Sequence, residues 1–271
     1  HRDLHSFPTR RSSDLRLPML DEQLLRYSRQ IMLPEMDVAG QQKLNDASVL
    51  IVGMGGLGCP AAMYLAAAGT GHLLIADDDI VELTNLQRQI AHSQADLGTA
   101  KVDSVQQTLK GLNPDLKITA LRQRLDGDDL DRAVNSVDVV VDACDNFTTR
   151  FAINRSCIRH GKPLVSGAAI RMEGQVAVFD SSNPESPCYQ CLYREGDDED
   201  SSCSQNGVMA PVVGIIGSVQ AMETIKLITQ IGTSLAGRLL LLDAATMQWR
   251  EMKLPRDSQC PACGNSGNAA R

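Results

Sequence analysis

The chain has 271 residues, 43% of them hydrophobic and 22% charged, a balance that can bury a sizeable core without covalent staples. A formal net charge of −7 offers no basic field to a polyanion, which argues against sequence-independent nucleic-acid binding and leaves any anionic ligand needing a local site. No run of about 18 apolar residues predicts a membrane span and no signal peptide is read, so a cytoplasmic protein is expected, with no membrane partner.

The segment "SFPTRRSSDL", residues 6–15, resembles the conceptual translation of a sequencing-adapter oligonucleotide. Residues 1–16 are therefore set aside as an artefactual or disordered tail, with a natural start at Met19. One domain is expected over residues 17–266, with a short tail over 267–271. Apolar β-branched runs then alternate with helical patterns. "SVLIVG" (48–53), "HLLIAD" (72–77), "LKITAL" (116–121), "VDVVVDA" (137–143) and "KPLVSGAA" (162–169) read as strands separated by amphipathic helices. That grammar predicts an α/β fold, a doubly wound, mostly parallel Rossmann-like sheet. After residue 170 the strands "EGQVAVFDSS" and "GRLLLLDAATMQWREMKL" read as antiparallel, flanking a buried helix over 212–231. Residues 181–207, with Pro184, Pro187 and an acidic run, are expected to form a long crossing loop, and loops of that length are usually functional or disordered.

Gly53, Gly55, Gly56 and Gly58 stand between the first strand and the first helix of this pattern, where glycines let backbone N–H groups approach a phosphate. Asp77, at the end of the second strand, is placed to accept hydrogen bonds from ribose hydroxyls. These features alone leave the nucleotide open, and NAD is the default. Arg88 and Lys101 follow the second strand, and Asp145 with Asn146 stands at the carboxyl end of a later one. Singly, the two cations read as solvated surface charges and Asp145 as a helix N-cap. Together they fit phosphoryl or nucleotidyl transfer, which needs cations over phosphates and a carboxylate for Mg²⁺.

Two C-x₂-C pairs, Cys188 with Cys191 and Cys260 with Cys263, match a closed tetrahedral Zn²⁺ site of structural type; disulfides within such tight pairs would be poor staples in a reducing compartment. Cys59, Cys144 and Cys157 read as buried small hydrophobes. Cys203 alone sits in a polar setting, where a thiol is inert unless its pKa is lowered.

The ordered series "LLRYSRQIML", "GMGGLG", "ADDD", "NLQRQ", "DACDN", "SGAAIRMEGQ", "CYQCL", "GVMAP" and "CPACG" resembles the ubiquitin-activating-enzyme-like adenylyltransferases, the ThiF/MoeB/HesA group, over residues 20 to about 265. The resemblance implies ATP-dependent adenylation of the C-terminal glycine of a small ubiquitin-fold sulfur carrier with a Gly-Gly end. It further implies that Gly56 and its neighbours cradle phosphates, Asp77 holds the ribose, and Thr84, Asn85 and Asn146 belong to the ATP site. Arg88 and Lys101 would neutralise the phosphates, Asp145 would bind Mg²⁺, and Arg29 would reach the ATP site of a partner subunit in a homodimer. "SGAAIRMEGQ" with "GVMAP" points to the carrier of molybdopterin synthase and molybdenum cofactor biosynthesis, whereas "YSRQI", "ADDD", "QRL" and "QWR" lean toward the thiamine-thiazole carrier. Sulfur would come from a separate donor, a cysteine desulfurase or rhodanese-like protein. In related enzymes the crossing loop carries a cysteine that bonds to the carrier, which makes Cys203 a possible covalent residue. An NAD-dependent oxidoreductase with structural zinc is the alternative from another class, and a nucleotide-binding dimeric scaffold is a third.

Overall fold

The structure, a computed structural model, describes residues 19–195 and 206–264. Three short helices, α1 (Asp21–Arg26), α2 (Ser28–Ile31) and α3 (Asp37–Asp46), lead into the sheet. The alternating part follows as β1 (Ser48–Val52), α4 (Gly58–Ala68), β2 (His72–Ala76), α5 (Lys101–Leu112), β3 (Lys117–Leu121), α6 (Gly127–Asn135), β4 (Val139–Asp142), α7 (Phe147–His160) and β5 (Pro163–Ile170). Then come β6 (Glu173–Asp180), α8 (Tyr189–Leu192), α9 (Ala210–Thr229), β7 (Arg238–Asp243) and β8 (Gln248–Lys253).

All eight strands form one sheet in the order β3-β2-β1-β4-β5-β6-β7-β8. The first five pair in parallel and the last three continue antiparallel. Period-two alternation sorts each central strand between two cores. Val49 and Ile51 of β1 pack with α4, α5 and α9, while Leu50 and Val52 pack with α6 and α7 on the opposite face. Continuous apolar runs in β1 and β4 thus reflect burial on both faces.

α9, the buried helix expected over 212–231, is apolar and long enough to cross a membrane by length and composition, although no span was expected from the sequence. It is half buried within the protein and packs against α4, β5 and β6. The expected crossing loop is interrupted by α8, whose start carries the first cysteine pair. Cys59, Cys144 and Cys157 are buried, and burial raises all three thiols, Cys59 to about 12.

Candidate active site

The strand order reverses at β1, which pairs with β2 on one side and β4 on the other. In open α/β sheets ligands bind outside the carboxyl ends of strands at such a point. Here those ends open into a cavity of about 470 Å³. Val52 and Gly53 follow from β1, Ala76 to Asp79 from β2, and Ala143 to Asn146 from β4.

The glycine loop is shaped by two steric requirements. Gly53 has φ of +95°, a left-handed conformation that favours glycine. Gly58 opens α4 so close to β1 that a Cβ would stand 1.8 Å from the Gly53 carbonyl oxygen. Gly53, Gly55 and Gly56 line the cavity, whereas Gly58 serves the helix–strand approach behind it. The next backbone groups are fixed by side chains: Met54 donates its N–H to Asp77 Oδ2 at 2.6 Å, and its carbonyl lies 3.2 Å from His92 Nε2. Asp77 Oδ1 accepts the Asp79 N–H at 2.9 Å. Burial raises the Asp77 pKa above the ordinary value of 3.8, partly countered by Lys101 and these two N–H donors.

Lys101, 6% exposed at the start of α5, donates Nζ to Asp79 Oδ2 at 2.7 Å. It lines the cavity with Arg88, whose Nη1 donates to the Thr84 carbonyl at 3.0 Å. Both cations expected from sequence thus face one cavity, with Asp77 and Asp145 on the same wall. Asp145 is exposed and is not the N-cap considered from sequence: Asn146 caps α7, its Oδ1 accepting the Thr149 N–H at 2.9 Å. Thr84 and Asn85 do not line the cavity; the Asn85 carboxamide oxygen accepts the Glu82 N–H at 3.0 Å. Arg29, exposed on α2, is also absent from the wall. Cys203 lies outside the described residues, but Gly207 and Val208 just beyond it line the cavity. Gln89, Gln123, Arg124 and Arg150 are also on the wall; the first three fall within "NLQRQ" and "QRL" but gained no role from sequence, and nothing singled out Arg150.

A second cavity of about 440 Å³, walled by β6, β7 and Tyr193, adjoins the first. Asp145, Arg150 and Ala169 line both. The arrangement suits a reaction that joins a group arriving along one cavity to a nucleotide held in the other.

Away from this site, Cys188, Cys191, Cys260 and Cys263 gather their sulfurs within metal-binding distance of one another. The Sγ separations are 3.9 Å for Cys188–Cys191, 3.6 Å for Cys188–Cys260 and 3.5 Å for Cys191–Cys263. Tetrahedral Zn–S bonds of about 2.3 Å place sulfurs about 3.8 Å apart, so the cluster fits that ion. Cys191 Sγ accepts the N–H groups of Cys188 at 3.4 Å and Asp257 at 3.5 Å, donors suited to a thiolate. Hydrogen bonding with the Cys188 thiol, more than these N–H groups, pulls the Cys191 pKa down.

The ThiF family profile matches residues 27–262. The molybdopterin-synthase adenylyltransferase of Salmonella typhimurium is 48% identical over 244 residues, covering 90% of this chain and 98% of the relative. The sulfur carrier protein ThiS adenylyltransferase of Escherichia coli K12 is also 48% identical, over 248 residues covering 92% and 98%. The crystal structure of Escherichia coli MccB with ATP matches 88% of this chain and 74% of its own at a TM-score of 0.77 and 24% identity, a likeness in fold.

Proposed function

The chain belongs to the ThiF family, and from that premise we propose that its two joined cavities bring ATP and the C-terminal glycine of a small ubiquitin-fold sulfur carrier together. The protein is an enzyme, a sulfur-carrier adenylyltransferase acting in molybdenum cofactor biosynthesis. The observation that carries the reading is the junction at Asp145, Arg150 and Ala169, where a tail from the second cavity meets the nucleotide cavity.

In the reaction a glycine carboxylate oxygen attacks the α-phosphorus of ATP. The acyl–phosphate bond forms, the bond to the β-phosphate oxygen breaks, and pyrophosphate leaves. Anion must approach anion, so screening and in-line positioning supply most of the acceleration. Asp77 holds the ribose, the N–H groups about Gly55 and Gly56 face the phosphates, and Lys101 with Arg88 neutralises charge on the α-phosphate and the leaving group. The exposed Asp145 carboxylate, released from capping by Asn146, fits a hard divalent cation. Asp145 would hold Mg²⁺, which would supply charge neutralisation for the phosphates. Zn²⁺ in the four-cysteine cluster would tie the segment around α8 to the carboxyl-terminal segment and leave no open coordination position.

The enzyme acts as a homodimer in this reading. A groove between α4 and α9, with Tyr64 59%, Ile90 59% and Met222 54% exposed, offers an apolar face for a second copy. Arg29, absent from its own cavity wall, then serves the partner's ATP site. Sulfur comes from a separate donor after adenylation, and Cys203 is not needed for the adenylate.

The test is ATP–pyrophosphate exchange with each carrier. Exchange supported by the molybdopterin-synthase carrier is expected; exchange only with the thiamine carrier would reassign the partner, and saturable NADH binding without exchange would restore the oxidoreductase. Mixing Arg29→Ala and Asp145→Ala proteins, each inactive, should restore about a quarter of the activity by random pairing of subunits.

A further inference from the structure

Beneath the junction of the two cavities lies a buried polar cluster of Asp142, Arg150, Ser166 and Gln220, of which Arg150 alone also lines them. Asp142, 1% exposed at the end of β4, accepts the Cys144 N–H on Oδ1 at 3.0 Å and the Ser166 hydroxyl on Oδ2 at 2.7 Å. Arg150, 7% exposed on α7, lies with Nε 3.8 Å from Asp142 Oδ2 and donates Nη2 to the carbonyls of Cys144 at 2.5 Å and Gly167 at 2.9 Å. Gln220 from α9 donates to the Asp142 carbonyl at 2.7 Å. Burial works against the Arg150 charge, and Asp142 together with Tyr189 and Cys144 more than offsets it.

The cluster grips one residue from both sides. Cys144 has its N–H held by Asp142 and its C=O held by Arg150, and the next residue is Asp145. Beyond Asp145, the Asn146 cap fixes the start of α7. A buried ion pair is a weak stabiliser, since desolvation cancels most of its Coulomb gain. A planar guanidinium whose Nη2 bridges a carbonyl just beyond β4 and one within β5 is instead suited to holding geometry.

We propose that Asp142, Arg150 and Ser166 are positioning residues for Asp145: they preset the β4–α7 corner so that its carboxylate meets the divalent cation without rearrangement. The inference rests on Asp145 as the metal-holding carboxylate. Residues that orient a metal ligand govern affinity through the ligand, and losing them costs about 10–100-fold.

The experiment measures Mn²⁺ binding to the full chain with a non-hydrolysable ATP analogue, from loss of the free-ion electron paramagnetic resonance signal. It compares Asp145→Ala, Arg150→Lys and Ser166→Ala with the parent, with metal-free analogue affinity and thermal melting as parallel readouts. Asp145→Ala should abolish the site, and the other two should weaken Mn²⁺ about 10-fold, with metal-free analogue affinity in Ser166→Ala staying within about twofold. Ser166→Ala deletes one hydroxyl and keeps the test decisive if Arg150→Lys fails to fold. Parent-like Mn²⁺ affinity in folded Arg150→Lys and Ser166→Ala, with Asp145→Ala defective, overturns the positioning inference and leaves the metal reading standing. Equal losses with and without metal overturn it too, since the cluster would then only support the fold. Parent-like binding by Asp145→Ala overturns the metal reading itself.

Discussion

Replacing Gly58 with alanine adds one methyl group where α4 meets β1. Its carbon would stand 1.8 Å from the Gly53 carbonyl oxygen and 2.9 Å from the carbonyl carbon. Ordinary contact needs about 3.5 Å, so the two backbones must part by about 1.7 Å. No flexible side-chain end can absorb this, because the obstructing atoms are main chain. α4 must lift from the sheet, loosening a layer in which Cys59, Ala61, Ala62 and Leu65 are fully buried, or the glycine loop must shift at the cavity wall. Overpacking costs about 1–3 kcal/mol, and the rigid contact puts this case near 3. At about 2–4 °C per kcal/mol the melting temperature should fall by roughly 6–12 °C. Scanning calorimetry with parallel ATP titration measures both consequences, and ATP affinity should drop about 10-fold for a displacement of this size. Gly111→Ala in α5, where an added Cβ meets nothing within 4 Å, is the control and should be neutral or slightly stabilising. A Gly58→Ala protein that melts within about 1 °C of the parent and binds ATP normally would refute the reasoning.

Three other outcomes follow from the same structure. His92 is buried with Nδ1 2.8 Å from Ser104 Oγ, and burial lowers its pKa below 6.5. A base depressed in the folded state contributes stability that is present above its unfolded pKa and lost as pH falls through the folded value. The drop in melting temperature from about pH 7.5 to 5 should therefore be smaller in His92→Gln than in the parent; equal drops would show that His92 does not titrate on unfolding. Metal analysis should find one Zn²⁺ per chain, and because such sites contribute on the order of 10–16 kcal/mol in isolated zinc-finger peptides, chelation or Cys260→Ser should lower the melting temperature sharply. An unchanged melt would remove the zinc assignment. Lys101→Met should cut pyrophosphate exchange by about 10²–10³-fold while leaving the carrier's affinity near the parent's. A loss confined to carrier affinity would move Lys101 out of the phosphate site.

The parallel half of the sheet was readable because β1 and β4 are continuous apolar runs and the intervening helices keep their period. The cysteine pairs were equally plain, since C-x₂-C spacing alone prescribes the ligand geometry that Cys188, Cys191, Cys260 and Cys263 adopt. What remained hidden is what depends on distant contacts. Asp145 reads as a cap from local sequence, yet Asn146 takes that role and leaves the carboxylate exposed. Nothing in "TTRFAINR" singles out Arg150; only the folding of the chain around it reveals carbonyl partners up to 17 residues away. Likewise the short α8 was lost inside an apparent loop, because the capping interactions of Cys188 and Cys191 rather than helix propensity define its four residues.

The central claim is that one site activates a carrier's terminal carboxylate with ATP. Equilibrium exchange of labelled pyrophosphate into ATP measures this directly, with the intact Gly-Gly carrier and with a carrier lacking its last glycine. The account predicts exchange with the intact carrier, none with the shortened one, and retained exchange in Cys203→Ala. Exchange that proceeds equally without any carrier, or fails with every carrier, would contradict it.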